Sequence, residues 1–177
     1  MKIALQYTKP PIWRRILVSS NVTLGRLHDI IQTVFDWSDA HLHQFIVGDT
    51  YYGVPHPDYG GWIEIHDERQ VRLREVAPGE GSRFVYEYDF GDSWQHLVLV
   101  EEVLPASPGI RYPVCIKGRR ACPPEDIGGI PGYYMFLEAM EDPDHPEHGR
   151  YVEWFGEDFD PDEFDVEACN EWLENFR

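Results

Sequence analysis

Tyr86-Glu-Tyr-Asp-Phe-Gly-Asp-Ser-Trp-Gln-His96 decides the fold. Two runs of strand character meet at Gly91-Asp92, a glycine-first pair suited to a two-residue hairpin turn. That turn pairs Phe90 with Ser93, Asp89 with Trp94, Tyr88 with Gln95 and Glu87 with His96. Phe84, Tyr86, Tyr88 and Phe90 then share an apolar face with Leu97 and Leu99. Val85, Glu87, Asp89, Trp94, His96 and Val98 take the other face. A three-residue turn would slip every pair by one and part Glu87 from His96. In the two-residue register, carboxylates stand beside an imidazole.

Residues 2–7 alternate, with Ile3, Leu5 and Tyr7 on one side, as in a half-buried strand. Pro10-Pro11 ends it, and residues 12–18 form a second strand carrying Trp13-Arg14-Arg15. Adjacent arginines on a strand point to opposite faces. Thr23 is placed to cap a helix whose Leu24, Leu27, Ile30, Ile31, Val34 and Phe35 make one apolar stripe. Residues 41–47 form another strand, with His41, His43, Phe45 and Val47 on one face. Residues 49–61 are rich in turn formers and read as a loop. A short apolar alternation follows at Val71, Leu73 and Val76.

Beyond the hairpin, residues 110–116 suggest a strand and 117–132 a Pro- and Gly-rich loop. Three helices follow, at 133–140, 151–155 and 166–176, the last capped by Asp165. The expected fold is α+β: a mainly antiparallel sheet with a central hairpin, one long amphipathic helix after the second strand, and helices toward the C-terminus. Residues 1–177 are expected to form a single domain, without internal repeat or low-complexity tract.

The net charge of −17 is unevenly placed. Residues 1–136 hold 13 basic and 17 acidic side chains, whereas residues 137–177 hold 2 and 15. Such an acidic lobe repels nucleic acid through that face, so general DNA coating is not expected. It suits a basic protein partner instead. Three cysteines without a C-x-x-C pair fit free thiols in a reducing compartment. With neither a signal peptide nor a membrane span in the sequence, a cytoplasmic protein is expected.

Several blocks occur together in one order. They are Pro-Pro-Ile-Trp-Arg-Arg at 10–15, Leu27-His28 with Gln32, and Trp37 with His41-Leu-His-Gln-Phe45. Tyr88-Asp-Phe-Gly-Asp-Ser-Trp94 with His96 comes next, then Cys122-Pro-Pro-Glu-Asp-Ile-Gly-Gly129 with Gly132-Tyr133. Phe159-Asp-Pro161 with Phe164-Asp165 closes the series. Over nearly its whole length the chain resembles the plasmid pRiA4b ORF-3-like family. The resemblance implies an α+β fold of antiparallel strands with helices and a plasmid or transposon context. It supplies no catalytic residue.

Three constellations carry possible chemistry. His41, His43, Asp89, Asp92 and His96, with Glu87 in reserve, could hold a divalent metal with open positions for water. The same groups could equally satisfy one another. Arg14, Arg15, Lys117, Arg119 and Arg120 beside Trp13 form a local cationic patch able to meet phosphates or stack on a base. The third is the acidic lobe, where Trp154, Phe155, Phe159, Phe164 and Trp172 are interleaved with carboxylates. Asp89-Phe-Gly91 lacks the rest of a kinase motif set, and Asp158, Asp160 and Asp162 lack the glycine of a calcium loop.

The leading reading is therefore a non-enzymatic binding or accessory module. A metal-dependent hydrolase or nuclease-like enzyme centred on the hairpin is the alternative, and a nucleic-acid-binding protein using the cationic patch the second. An enzyme needs these polar groups converging in a cleft with donors and acceptors free. A binding module can leave them mutually satisfied.

Overall fold

The computed structural model describes residues 1–55 and 64–176. Its strands are β1 (Lys2–Leu5), β2 (Trp13–Leu17), β3 (His43–Val47), β4 (Thr50–Gly53), β5 (Ile65–Asp67), β6 (Arg83–Tyr88), β7 (Trp94–Leu99) and β8 (Val114–Arg119). They form one sheet in the order β5-β4-β3-β6-β7-β1-β2-β8. Every pairing is antiparallel except β4 with β5. The helices are α1 (Leu24–Phe35), α2 (Leu73–Val76), α3 (Gly129–Glu141), α4 (His148–Phe155) and α5 (Val166–Leu173). The fold is thus α+β, as the sequence pattern predicts. No described helix is long and apolar enough to cross a membrane.

One face of the sheet is the core. Ile3, Leu5, Ile16, Phe45, Phe84, Tyr86, Tyr88, Trp94 and Val98 are buried there, alternating with half-buried or exposed neighbours. α1 supplies the opposing layer through Leu24, Leu27, Ile30, Ile31, Val34 and Phe35, each at most 2% exposed. Burying each such side chain contributes about 1.5–3 kcal/mol. Thr23 caps α1 by accepting from the Arg26 amide, and Asp36 ends it in the left-handed conformation. Asp165 caps α5 through the amides of Glu167 and Ala168.

The hairpin differs from the two-residue reading. Tyr88 pairs with Trp94, Glu87 with Gln95 and Tyr86 with His96. The left-handed residues are Asp89 (φ 55) and Ser93 (φ 52), not Gly91. The Ser93 amide donates to the Asp89 carbonyl at 2.6 Å, and Gly91 donates to Asp89 Oδ1 at 2.9 Å. An aspartate that folds its carboxylate over its own turn has replaced the glycine-first geometry. Every residue of β7 therefore lies on the face opposite to that expected, and His96 joins the core.

Other boundaries move as well, with α3 and α4 starting earlier than expected, at Gly129 and His148. Thr50–Gly53 is a strand within the stretch read as a loop, of which residues 56–61 lie outside the described residues. The alternation near Val71 ends in the single turn α2. β8 starts later than expected and takes in Lys117 and Arg119. The outer edge of β8 is occupied by α5: the Asn170 side chain accepts from the Cys115 amide at 3.0 Å and donates to its carbonyl at 2.7 Å. An edge strand is thereby covered rather than left to pair with another chain.

Candidate functional site

The segment from the end of α1 to the start of β3 passes over the ends of β6 and β7, and two histidine–carboxylate clusters form beside it. The first joins α1 to β3. His28 and His43 stack with centroids 3.4 Å apart and planes 6° from parallel. His43 Nε2 lies 2.9 Å from Glu68 Oε2, and both side chains are nearly buried.

Four hydrogen bonds around His28 close into a ring. The Asp39 amide donates to Gln32 Oε1 at 3.0 Å, which fixes the orientation of that side-chain amide. Gln32 Nε2 donates to the Tyr86 hydroxyl at 2.8 Å. Tyr86 lies 2.8 Å from His28 Nδ1, and His28 Nε2 lies 2.9 Å from Asp39 Oδ1. The carboxylate can only accept, so Nε2 carries the proton and Nδ1 accepts from Tyr86. Burial, with His43 alongside, pushes the His28 pKa down to about 3. The His28 imidazole is neutral and each of these atoms is partnered.

The second cluster lies at the hairpin turn. His41 Nε2 is 3.1 Å from Asp126 Oδ1 and 3.7 Å from Asp89 Oδ2. Although shut off from solvent, this nitrogen makes no hydrogen bond of acceptable geometry. Tyr88 stands edge-on to the imidazole at 5.8 Å and donates to Glu125 Oε1 at 2.5 Å. Glu125 Oε2 accepts from the Ser38 hydroxyl at 2.6 Å and its amide at 3.0 Å. Burial raises the Glu125 pKa, but these bonds from Ser38 and Tyr88 outweigh it and keep the group below its ordinary range.

The five residues expected to form one polar site are therefore dispersed. His41 and Asp89 come together, whereas His43 belongs to the first cluster. Asp92 accepts from the Gly128 amide at 3.0 Å and ties residues 122–128 to the turn. A Cβ on Gly129 would lie 2.5 Å from the Asp92 carbonyl, so this close approach requires glycine. His96 is fully buried, with Nδ1 on the Trp94 carbonyl at 3.0 Å and the rings of Phe35 and Trp37 edge-on to it. Burial pushes its pKa down to about 3. Asp126, Asp39 and Glu68 escaped the sequence reading because their partners are distant in the chain.

The cationic set also divides. Arg14 is 3% exposed and donates to the carbonyls of Val34, Trp13 and Arg119, with Phe164 against its guanidinium at 4.0 Å. Arg15 makes a two-pronged pair with Glu101 at 2.7 Å on the other face. Buried Arg120 donates to the Pro161 carbonyl at 3.0 Å and pairs with Asp162 at 3.2 Å. Lys117 and Arg119 are exposed.

A groove of about 540 Å³ runs between the end of α1, residues 121–125 and the segment 159–172. Arg14, Val34, Trp37, Phe159, Phe164 and Trp172 are among its lining residues, with Asp36, Glu125, Glu163 and Asp165 as its carboxylates. Trp37 is held by its indole N–H on the Pro123 carbonyl at 3.0 Å. Burial, and then the charge of Glu125, raise the pKa of Asp36. Cys122 also lines the groove, and all three cysteines are free thiols.

A family model described as plasmid pRiA4b ORF-3-like protein matches residues 1–168. The chain belongs to that family. Uncharacterized protein y4hQ of Sinorhizobium fredii is 37% identical over 172 residues, covering 96% of this chain and 84% of the relative. The crystal structure of MM3350 from Methanosarcina mazei Go1, titled a protein of unknown function, is similar with a TM-score of 0.81 and 38% identity. That likeness covers 94% of this chain and 93% of MM3350. MM3350 thus shares the fold of this chain, and neither relative's name assigns an activity.

Proposed function

We propose that the protein is a binding module that receives a basic, amphipathic segment of a partner protein in the groove beside α1 and α5. The charge pattern of the groove carries this reading. Among the described residues four carboxylates line it, and the one cation, Arg14, is turned into the protein and donates to three backbone carbonyls. Apolar walls with a half-exposed Trp172 suit an aliphatic or aromatic anchor flanked by Lys or Arg. The acidic excess of residues 137–177 adds long-range attraction for such a partner.

The hydrolase reading has less support, because His28 and His43 are hydrogen-bonded within the first cluster and His96 is enclosed in the core away from the other carboxylates and histidines of the expected site. The nucleic-acid reading retains Lys117 and Arg119 as exposed cations.

The test uses fluorescence anisotropy of labelled twelve-residue peptides. One alternates Lys and Leu, and a control replaces each Lys with Glu. The basic peptide is expected to bind, with affinity falling as salt rises and at least tenfold weaker binding to Trp172→Ala and Glu163→Lys. Equal binding of both peptides, or binding unchanged in those variants, would overturn the groove assignment.

A further inference from the structure

We propose that His41, Asp89 and Asp126 form a binding site for a divalent first-row metal ion. The three side chains come from separate places: the segment before β3, the β6–β7 turn, and the loop before α3. Nothing about their sequence spacing brings them together; the fold does.

The unpartnered nitrogen is the first observation. His41 Nε2 has no access to solvent and no hydrogen bond, yet two carboxylate oxygens stand at 3.1 and 3.7 Å. A buried ring nitrogen facing two carboxylates would ordinarily donate a hydrogen bond to one of them. Here Asp126 stands at ligand spacing, since donors about 2.1 Å from one ion lie roughly 3.0–3.4 Å apart, and Asp89 Oδ2 at 3.7 Å has only a few tenths of an ångström to close. A cation at that point would satisfy the nitrogen and relieve the repulsion between Asp89 and Asp126.

The second observation is that the backbone holds the carboxylates in place. Asp89 and Asp126 are both left-handed, with φ of 55 and 58. Asp89 is fixed by its amide on the Leu42 carbonyl at 2.8 Å and by the Ser93 amide on its own carbonyl. Asp126 is carried by the loop that Asp92 and Gly129 press onto the turn. Such conformations persist where the surroundings enforce them, and they gather at functional sites. The exposed side of Asp126 leaves room for water ligands and a path for the ion. One imidazole and two carboxylates with open positions suit manganese, iron or zinc.

The His28–Asp39–His43 cluster is the competing location, since its donors also lie within ligand distance of one another. An ion there would have to take the proton from His28 Nε2 and open the four-bond ring. The His41 site requires no bond to break.

Isothermal titration of the chelator-treated full chain with manganese and with zinc chloride tests the assignment. One equivalent of at least one ion is expected to bind. His41→Gln, which removes the ring nitrogen, and Asp126→Asn, at an exposed carboxylate, should each weaken it at least tenfold with an unchanged near-ultraviolet spectrum. His43→Gln should bind like the parent. No binding of either ion, or binding lost in His43→Gln and kept in His41→Gln, would overturn the site. The peptide measurement above does not depend on this result, so the two proposals can fail separately.

Discussion

At the residue scale, burial sets the state of His28 and His96. His28 and His96 both have pKa values pushed down to about 3, from an ordinary value near 6.5. An unfolded chain therefore takes up protons below pH 6.5 that the folded chain refuses. Their penalty is absent above pH 6.5 and grows as pH falls toward 3, by about 1.4 kcal/mol per pH unit for each histidine. Urea unfolding at pH 7.0, 6.0 and 5.0 should show stability dropping with that slope, and His96→Gln should remove about one proton of it. A flat profile over this range would contradict the neutral assignments. Arg14 makes a second case. Arg14→Lys keeps the charge but loses the planar stack on Phe164 and the fork to the carbonyls, at a cost of about 2–3 kcal/mol. None of this was visible in the residue types alone. The sequence shows a histidine two places from Trp94, and only the register decides whether it meets Glu87 or Tyr86.

At the element scale, the strong periodicities were legible and the turn chemistry was not. The α1 stripe, the Thr23 and Asp165 caps and the alternation of β1 all follow from spacing. The hairpin register failed because Asp89 and Ser93, rather than Gly91, adopt the left-handed conformation. β4 was hidden because Thr50-Tyr-Tyr-Gly53 is flanked by turn formers and gains its strand from pairing with β3. The candidate site was less legible still: Asp126 and Glu125 sit in a recognisable block, but their meeting with His41 and Tyr88 is tertiary. Gly118 shows how tightly the elements are fitted. A Cβ there would lie 2.3 Å from Phe164 Cε1, so the Phe164 ring sits on bare β8 backbone beneath the Arg14 guanidinium. Gly118→Ala should cost about 1–3 kcal/mol by overpacking. Since the clash is with one ring, Gly118→Ala with Phe164→Ala should destabilise by less than the two singles added together. Denaturant midpoints of the three variants check this; strict additivity would place the ring elsewhere.

At the scale of the whole molecule, one sheet face is packed by helices, and residues 159–172 of the acidic C-terminal segment line the groove beside α1. This places an excess of negative charge beside apolar walls, which is why a basic segment is the expected occupant. The indole N–H signals of the tryptophans test that claim most directly, because Trp172 and Trp37 line the groove while Trp13 lies on the other sheet face. Titrating isotope-labelled protein with the Lys/Leu peptide at low salt should shift the Trp172 and Trp37 signals and leave Trp13 and the buried Trp94 in place. Shifts confined to Trp13, or no shift at any indole at a tenfold excess of peptide, would contradict it.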